Sequence, residues 1–221
     1  MADTSIARVR GNTPFASPAS GTGEQSINTR GDLLVAQGLP DRADIVRLGR
    51  SWSGQILDAN AFTLLITIPT TLANLSLQNG EPLGGASYII ERVWCKCVTS
   101  TAAANYLTIL GQVVPRGTAL VAHSALTLIQ SLSAKTATYN GLAQLAVAST
   151  ATGAIANKWM PLGAPVSLPT STSIAAFVEA NINGRIIIPP QANLSLTAQE
   201  AVSGGTALLG VEWHEAQLEL G

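Results

Sequence analysis

The strongest constraint on this chain is a two-residue alternation of apolar and polar side chains, cut at intervals by tight-turn dipeptides. In "FTLLITIP" the apolar Phe62, Leu64, Ile66 and Ile68 fall on one side, with Thr63, Leu65 and Thr67 on the other. "NLSLTAQ" sets Leu194, Leu196 and Ala198 against Ser195 and Thr197 in the same way. Successive side chains of a strand point to opposite faces, so this pattern suits strands with one buried face. "SYIIERVWCKCV" and "NYLTILGQVVP" are further candidates, and Asn79-Gly80, Asn140-Gly141 and Asn183-Gly184 suit turns with positive φ. Many short strands, frequent turns and little helix predict an all-β fold, a jelly-roll-like β-sandwich over residues 59–221.

Three stretches modify that reading. "TALVAHSALTLIQSL" (118–132) spaces Ala122, Ala125, Leu126, Ile129 and Leu132 almost as a helix would, and the alanine-rich "GLAQLAVASTATGAIA" also resists a strand assignment. In "ALLGVEWHEAQLELG" the apolar parity passes from Leu209, Val211 and Trp213 to Ala216, Leu218 and Leu220. That switch predicts a bulge or strand break near His214.

Charge divides the chain. Charged residues make up 11% of it, against about 25% in ordinary soluble domains. Twelve of them lie in residues 1–58, and no aspartate follows Asp58. A weakly charged body is expected of a subunit whose faces are covered by partners, because interface cores are depleted in charge. A Ser/Thr/Asn/Gln-coated soluble surface is the alternative. The net charge of −1 offers no basic field for a nucleic-acid backbone. No long uninterrupted apolar run suggests a membrane helix. The opening residues do not look like a secretory signal, which empties the glycosylation patterns at Asn74 and Asn193. Within the charged front, residues 1–28 show no periodicity. They suit either a disordered tail or an extended N-terminal arm that lays Ile6, Val9 and Phe15 on a neighbouring subunit.

Reactive constellations are sparse. Cys95 and Cys97 share a strand face with Val93, where a disulfide between them would be strained. A zinc site would need ligands from His123 or His214 in unrelated segments, so both thiols are expected to be buried as small hydrophobes. His214 lies near Glu212 and Glu215 and is expected at a solvated strand end. Glu179, Glu200 and Glu219 are isolated, and no nucleophile elbow, phosphate loop or metalloprotease motif occurs. No catalytic residue, cofactor or metal ligand is nominated, and the chain is expected not to be an enzyme.

The front carries a recognisable pattern: Gly31-Asp32-Leu33-Leu34, then Val46-Arg47-Leu48-Gly49, then Gly54-Gln55-Ile56-Leu57. It resembles the G-D-L-L, R-L, G-Q-(V/I)-L pattern of tailed-bacteriophage fibre and virion-surface proteins. "TILGQVVPRGTAL", "NKWMPLG", "INGRIIIPPQANLSLTAQ" and "GVEWHEA" are more loosely similar to capsid decoration (cement) proteins and virion jelly rolls. The resemblance implies a homotrimer on the virion, at the capsid surface, made in the host cytoplasm. Its partners would be itself and the major capsid protein or other virion proteins, without nucleic acid or membrane. Residues 29–58 then form a short β assembly motif. "DLLVA" and "IVRL" would bury Leu33, Val35, Val46 and Leu48 between chains, while Arg30, Asp32 and Arg47 fix register. Gln55 and Leu57 complete the expected interface. An ordinary exposed hairpin is the alternative for this segment.

Two functions follow. One is a non-enzymatic structural protein that decorates and stabilises the capsid. The other is a head or tail fibre, a receptor-binding module for a host-surface glycan that would stack sugars on Trp52, Trp94, Trp159 or Trp213.

Overall fold

The structure is a computed structural model that describes residues 43–56, 61–69, 72–100, 105–115, 129–132, 141–150, 158–168, 176–202 and 204–218. The chain divides between Asp44 and Ile45. Ile6, Val9, Phe15, Arg30, Asp32, Leu33, Val35 and Leu57, with the expected arm, lie outside the described residues.

The strands are β1 (Ser51–Gln55), β2 (Phe62–Thr63), β3 (Leu72–Asn79), β4 (Ala86–Thr99), β5 (Asn105–Val114), β6 (Ile129–Ser131), β7 (Ala143–Thr150), β8 (Met160–Leu168), β9 (Phe177–Ile188), β10 (Asn193–Glu200) and β11 (Thr206–Gln217). They form two antiparallel sheets, ordered β6-β1-β11-β4-β9 with β2 on β11, and β7-β3-β10-β5-β8. The fold is therefore an all-β sandwich. Its core draws on both layers: Trp52, Val93, Cys95, Val211 and Trp213 from one, and Leu75, Leu77, Leu145, Leu194 and Leu196 from the other. If β2, β6 and β7 are set aside, the pairing is nested. The first strand pairs the last (β1 with β11), then β3 pairs β10, β4 pairs β9 and β5 pairs β8.

Several local expectations change. The "IVRL" segment is not a strand: α1 (Ala43–Arg47) is a short helix closed by Gly49 at φ 73°. Gly49 N–H donates to Val46 O (2.9 Å) and Arg50 N–H to Ile45 O (3.2 Å), a Schellman cap. Gly-Gln-Ile, the last part of the front motif that is described, belongs to the sandwich. Gly54 faces inward, where a Cβ would overlap Leu145; Gln55 points outward, and Ile56 is buried.

"FTLLITIP" forms a strand only at Phe62–Thr63, because the chain then leaves β11 and crosses to the other sheet. There Leu65 bridges Gln199, and Ile66 and Ile68 are left 55% and 47% exposed. In β10 both faces are buried, Ser195 and Thr197 as fully as Leu194 and Leu196. The hydroxyls are held by neighbours, Ser195 at 3.4 Å from the Ser76 hydroxyl and Thr197 donating to Asn74 Oδ1 at 2.6 Å. The resistant stretches yield β6 at Ile129–Ser131 and β7 at Ala143–Thr150, while 116–128 and 151–157 lie outside the described residues.

The expected bulge exists, displaced onto the neighbouring strand. Pairing between β11 and β4 shifts between Glu212 and Trp213, and the extra residue is Glu91 of β4. Opposite it, β9 inserts Ile182–Arg185 between Asn181, which pairs Arg92, and Ile186, which pairs Ile90.

Candidate binding face

With Val93, Cys95 and Cys97 fully buried, the strand period turns Arg92, Trp94 and Lys96 to the outer face of the six-stranded sheet. Register supplies their neighbours. Trp94 stands between Glu179 of β9 and Gly210 of β11, Arg92 between Asn181 and Glu212, and Lys96 between Phe177 and Leu208. Farther along the same rows, β1 sets Gln55 beside Gly210 and Ser53 beside Glu212. At about 4.8 Å per strand, Gln55 is roughly 10 Å from Trp94 along its row.

The centre of this face is aromatic. A Cβ at position 210 would overlap indole Cε2, Cζ2 and Nε1 of Trp94, so the ring lies across the β11 backbone in space that only glycine leaves open. Phe177 stacks beside it with ring centroids 5.8 Å apart and planes inclined by 25°, and is itself 47% exposed. Trp94 is half-buried, whereas Trp52, Trp159 and Trp213 are buried.

Charge on the face is balanced. Arg92 binds Glu212 and reaches Glu179 Oε2 at 3.4 Å. Its guanidinium is held above the usual arginine range mainly by the Glu212 hydrogen bond, against partial desolvation. Such a half-exposed trio adds little stability by itself. Its effect is positional, because each carboxylate is held at a fixed place beside the rings.

Two buried polar clusters lie elsewhere. His214 is not at a solvated strand end: its Nδ1 is 2.6 Å from Glu91 Oε1, and both residues are buried. The bulge makes this pair by inserting Glu91 into β4. Glu200, fully buried, accepts from Asn105 Nδ2 (2.7 Å) and Gly205 N–H (2.9 Å), while Asn105 Oδ1 accepts from Ala201 N–H (2.7 Å). That cluster fixes the turn from β10 to β11. Cys95 and Cys97 are buried thiols, both with raised pKa values because of burial, and Cys97 additionally because of Glu200. Among the described residues no three His, Cys, Asp or Glu side chains converge to hold a metal, and no helix is long and apolar enough to cross a membrane.

Of the described interface residues expected from sequence, Val46 and Arg47 lie on α1, with Leu48 just beyond it and 51% exposed, and Gln55 lies on the same outer sheet face as the aromatic pair. Glu179 and Glu212, far apart in sequence, meet through Arg92. Only strand register reveals that meeting. Compared with known proteins, the chain matches no family, no curated relative and no solved structure.

Proposed function

We propose that this chain is a non-enzymatic structural protein of a bacteriophage virion, built on a jelly roll, that decorates and stabilises the capsid as a homotrimer. The motif Gly31-Asp32-Leu33-Leu34, Val46-Arg47-Leu48-Gly49, Gly54-Gln55-Ile56-Leu57 suggests the virion setting. The nested strand pairing, first with last and inward, is what a long hairpin rolled into two layers would have, and it supports the jelly roll.

The observation that carries the assembly role is apolar exposure on a weakly charged body. Asn105 exchanges hydrogen bonds with the Val202 backbone, and Leu65 bridges Gln199. Tyr106 (44% exposed), Val202 (47%) and Ile66 (55%) are thus carried together at one end of the five-stranded sheet. Burying such side chains against a neighbour stabilises association by roughly 25 cal/mol per Å² before the costs of ordering.

The first test is the mass of the full chain in solution. A trimer near 68 kDa (3 × 22.8 kDa) is expected by light scattering, and Val202→Lys should weaken it. A monomer would remove the preassembled trimer from the reading. Capsids carrying the protein should outlast capsids lacking it on heating, and equal survival would remove the stabilising role.

A further inference from the structure

We infer that the Trp94 face of the six-stranded sheet is a binding site for a neutral sugar, a pyranose of an oligosaccharide chain. The site is independent of the capsid role. Three properties of the face point to this chemistry. The first is a laid-down aromatic surface: Gly210 lets the indole rest on β11, and Phe177 extends it toward β9 in a nearly parallel plane. The C–H face of a pyranose packs on such a surface, whereas a charged or bulky branched ligand gains less from it.

The second is a set of hydrogen-bonding groups in adjacent rows. The Glu179 carboxylate stands directly across from Trp94, and Asn181 follows it on β9. Hydroxyls at the rim of a stacked ring would donate to Glu179 and exchange hydrogen bonds with Asn181. A few placed polar groups around an apolar floor are the usual composition of a small-ligand site. The third is charge. Arg92 engages both Glu179 and Glu212, so the charges directly beside the rings are already paired with one another, and Arg185, farther along β9, is held on the backbone oxygens of Asn181 and Ile182; the rings themselves present no unpaired cation to a sulfated or carboxylated glycan.

An aromatic laid over a cross-strand glycine also shields backbone, and that alone would account for Trp94. It would not account for Phe177, which leaves nearly half its surface in water at the end of the same stack, nor for the two carboxylates fixed alongside.

Isothermal titration of the full chain with cellohexaose, maltohexaose and a β-1,4-galactan hexasaccharide tests this, with dextran sulfate as the anionic comparison. At least one neutral chain should saturate the protein and dextran sulfate should not. Phe177→Ala and Glu179→Gln should each weaken binding about tenfold, at unchanged melting temperature. Both altered side chains are exposed, so neither change removes buried core. No saturation by any neutral chain overturns the inference, as does binding of dextran sulfate alone or binding unchanged in both variants. A sugar bound by a protein that leaves capsid survival unaltered would sink the capsid reading and keep this one.

Discussion

At single residues, the two cysteines and Gly210 mark what alternation can and cannot disclose. Period two places Val93, Cys95 and Cys97 on one face, and all three are fully buried. Burial raises both thiol pKa values, so the folded state holds protons that the unfolded chain releases from about pH 8.5 upward. The stability this contributes is fully present below that pH and is lost as pH rises, at up to about 1.4 kcal/mol per pH unit for the deeply buried Cys95, with Cys97 adding to the decline in the same direction. Urea unfolding at pH 7.5, 9 and 10 should show the decline, and Cys95→Ala should flatten it. Iodoacetamide should leave both thiols unmodified in the native protein at pH 8, as read by intact mass. Gly210 was not legible in this way. Nothing around it in "LLGVEW" says that an indole from another strand lies on it. Gly210→Ala should cost about 1–3 kcal/mol by displacing that ring, with a change in tryptophan emission that a substitution at open Gly84 would not produce.

Among elements, glycine was the informative residue where the motif resemblance misled. The resemblance implies a short β piece for Val46 and Leu48, yet Gly49 supplies the left-handed residue that closes a helix, and the two cap hydrogen bonds form around it. Asn183-Gly184 reads correctly as two consecutive positive-φ residues, at 52° and 76°. It serves an excursion inside β9 and not a hairpin between strands, because both flanks pair with β4 on either side of Glu91. Parity in β11 likewise located a bulge within two residues of its place but assigned it to the wrong strand, since a register shift is a property of the pair. Gly184→Ala should destabilise by about 1–2 kcal/mol, the cost of left-handed backbone with a Cβ, while Asn183→Gly should be nearly neutral; chemical denaturation separates the two.

For the whole molecule, the nested pairing decides where the chain can be cut. A boundary after residue 58 follows the change in charge density, which is what a sequence displays most plainly. The sandwich instead begins at β1, because the first strand lies between β6 and β11 and delivers Trp52 and Ile56, 2% and 1% exposed, to a core shared with strands from the far end of the chain. Pairing of first with last carries no local trace in composition or period, so this part of the architecture was not legible. Deleting residues 1–58 should therefore remove a structural strand: burial of Trp52 and Ile56 alone is worth roughly 1.5–3 kcal/mol each, and β6 loses its one strand partner among the described residues. Deleting residues 1–44 leaves every described strand in place. Circular-dichroism melting should show a cooperative transition for 45–221 and a much lower or absent one for 59–221. The mass of 45–221 then separates the sources of assembly: a surviving trimer places the contacts on the sandwich, and a monomer assigns them to residues 1–44. If 59–221 melts like the full chain, β1 is dispensable, and the closure of the six-stranded sheet around the first strand is wrong.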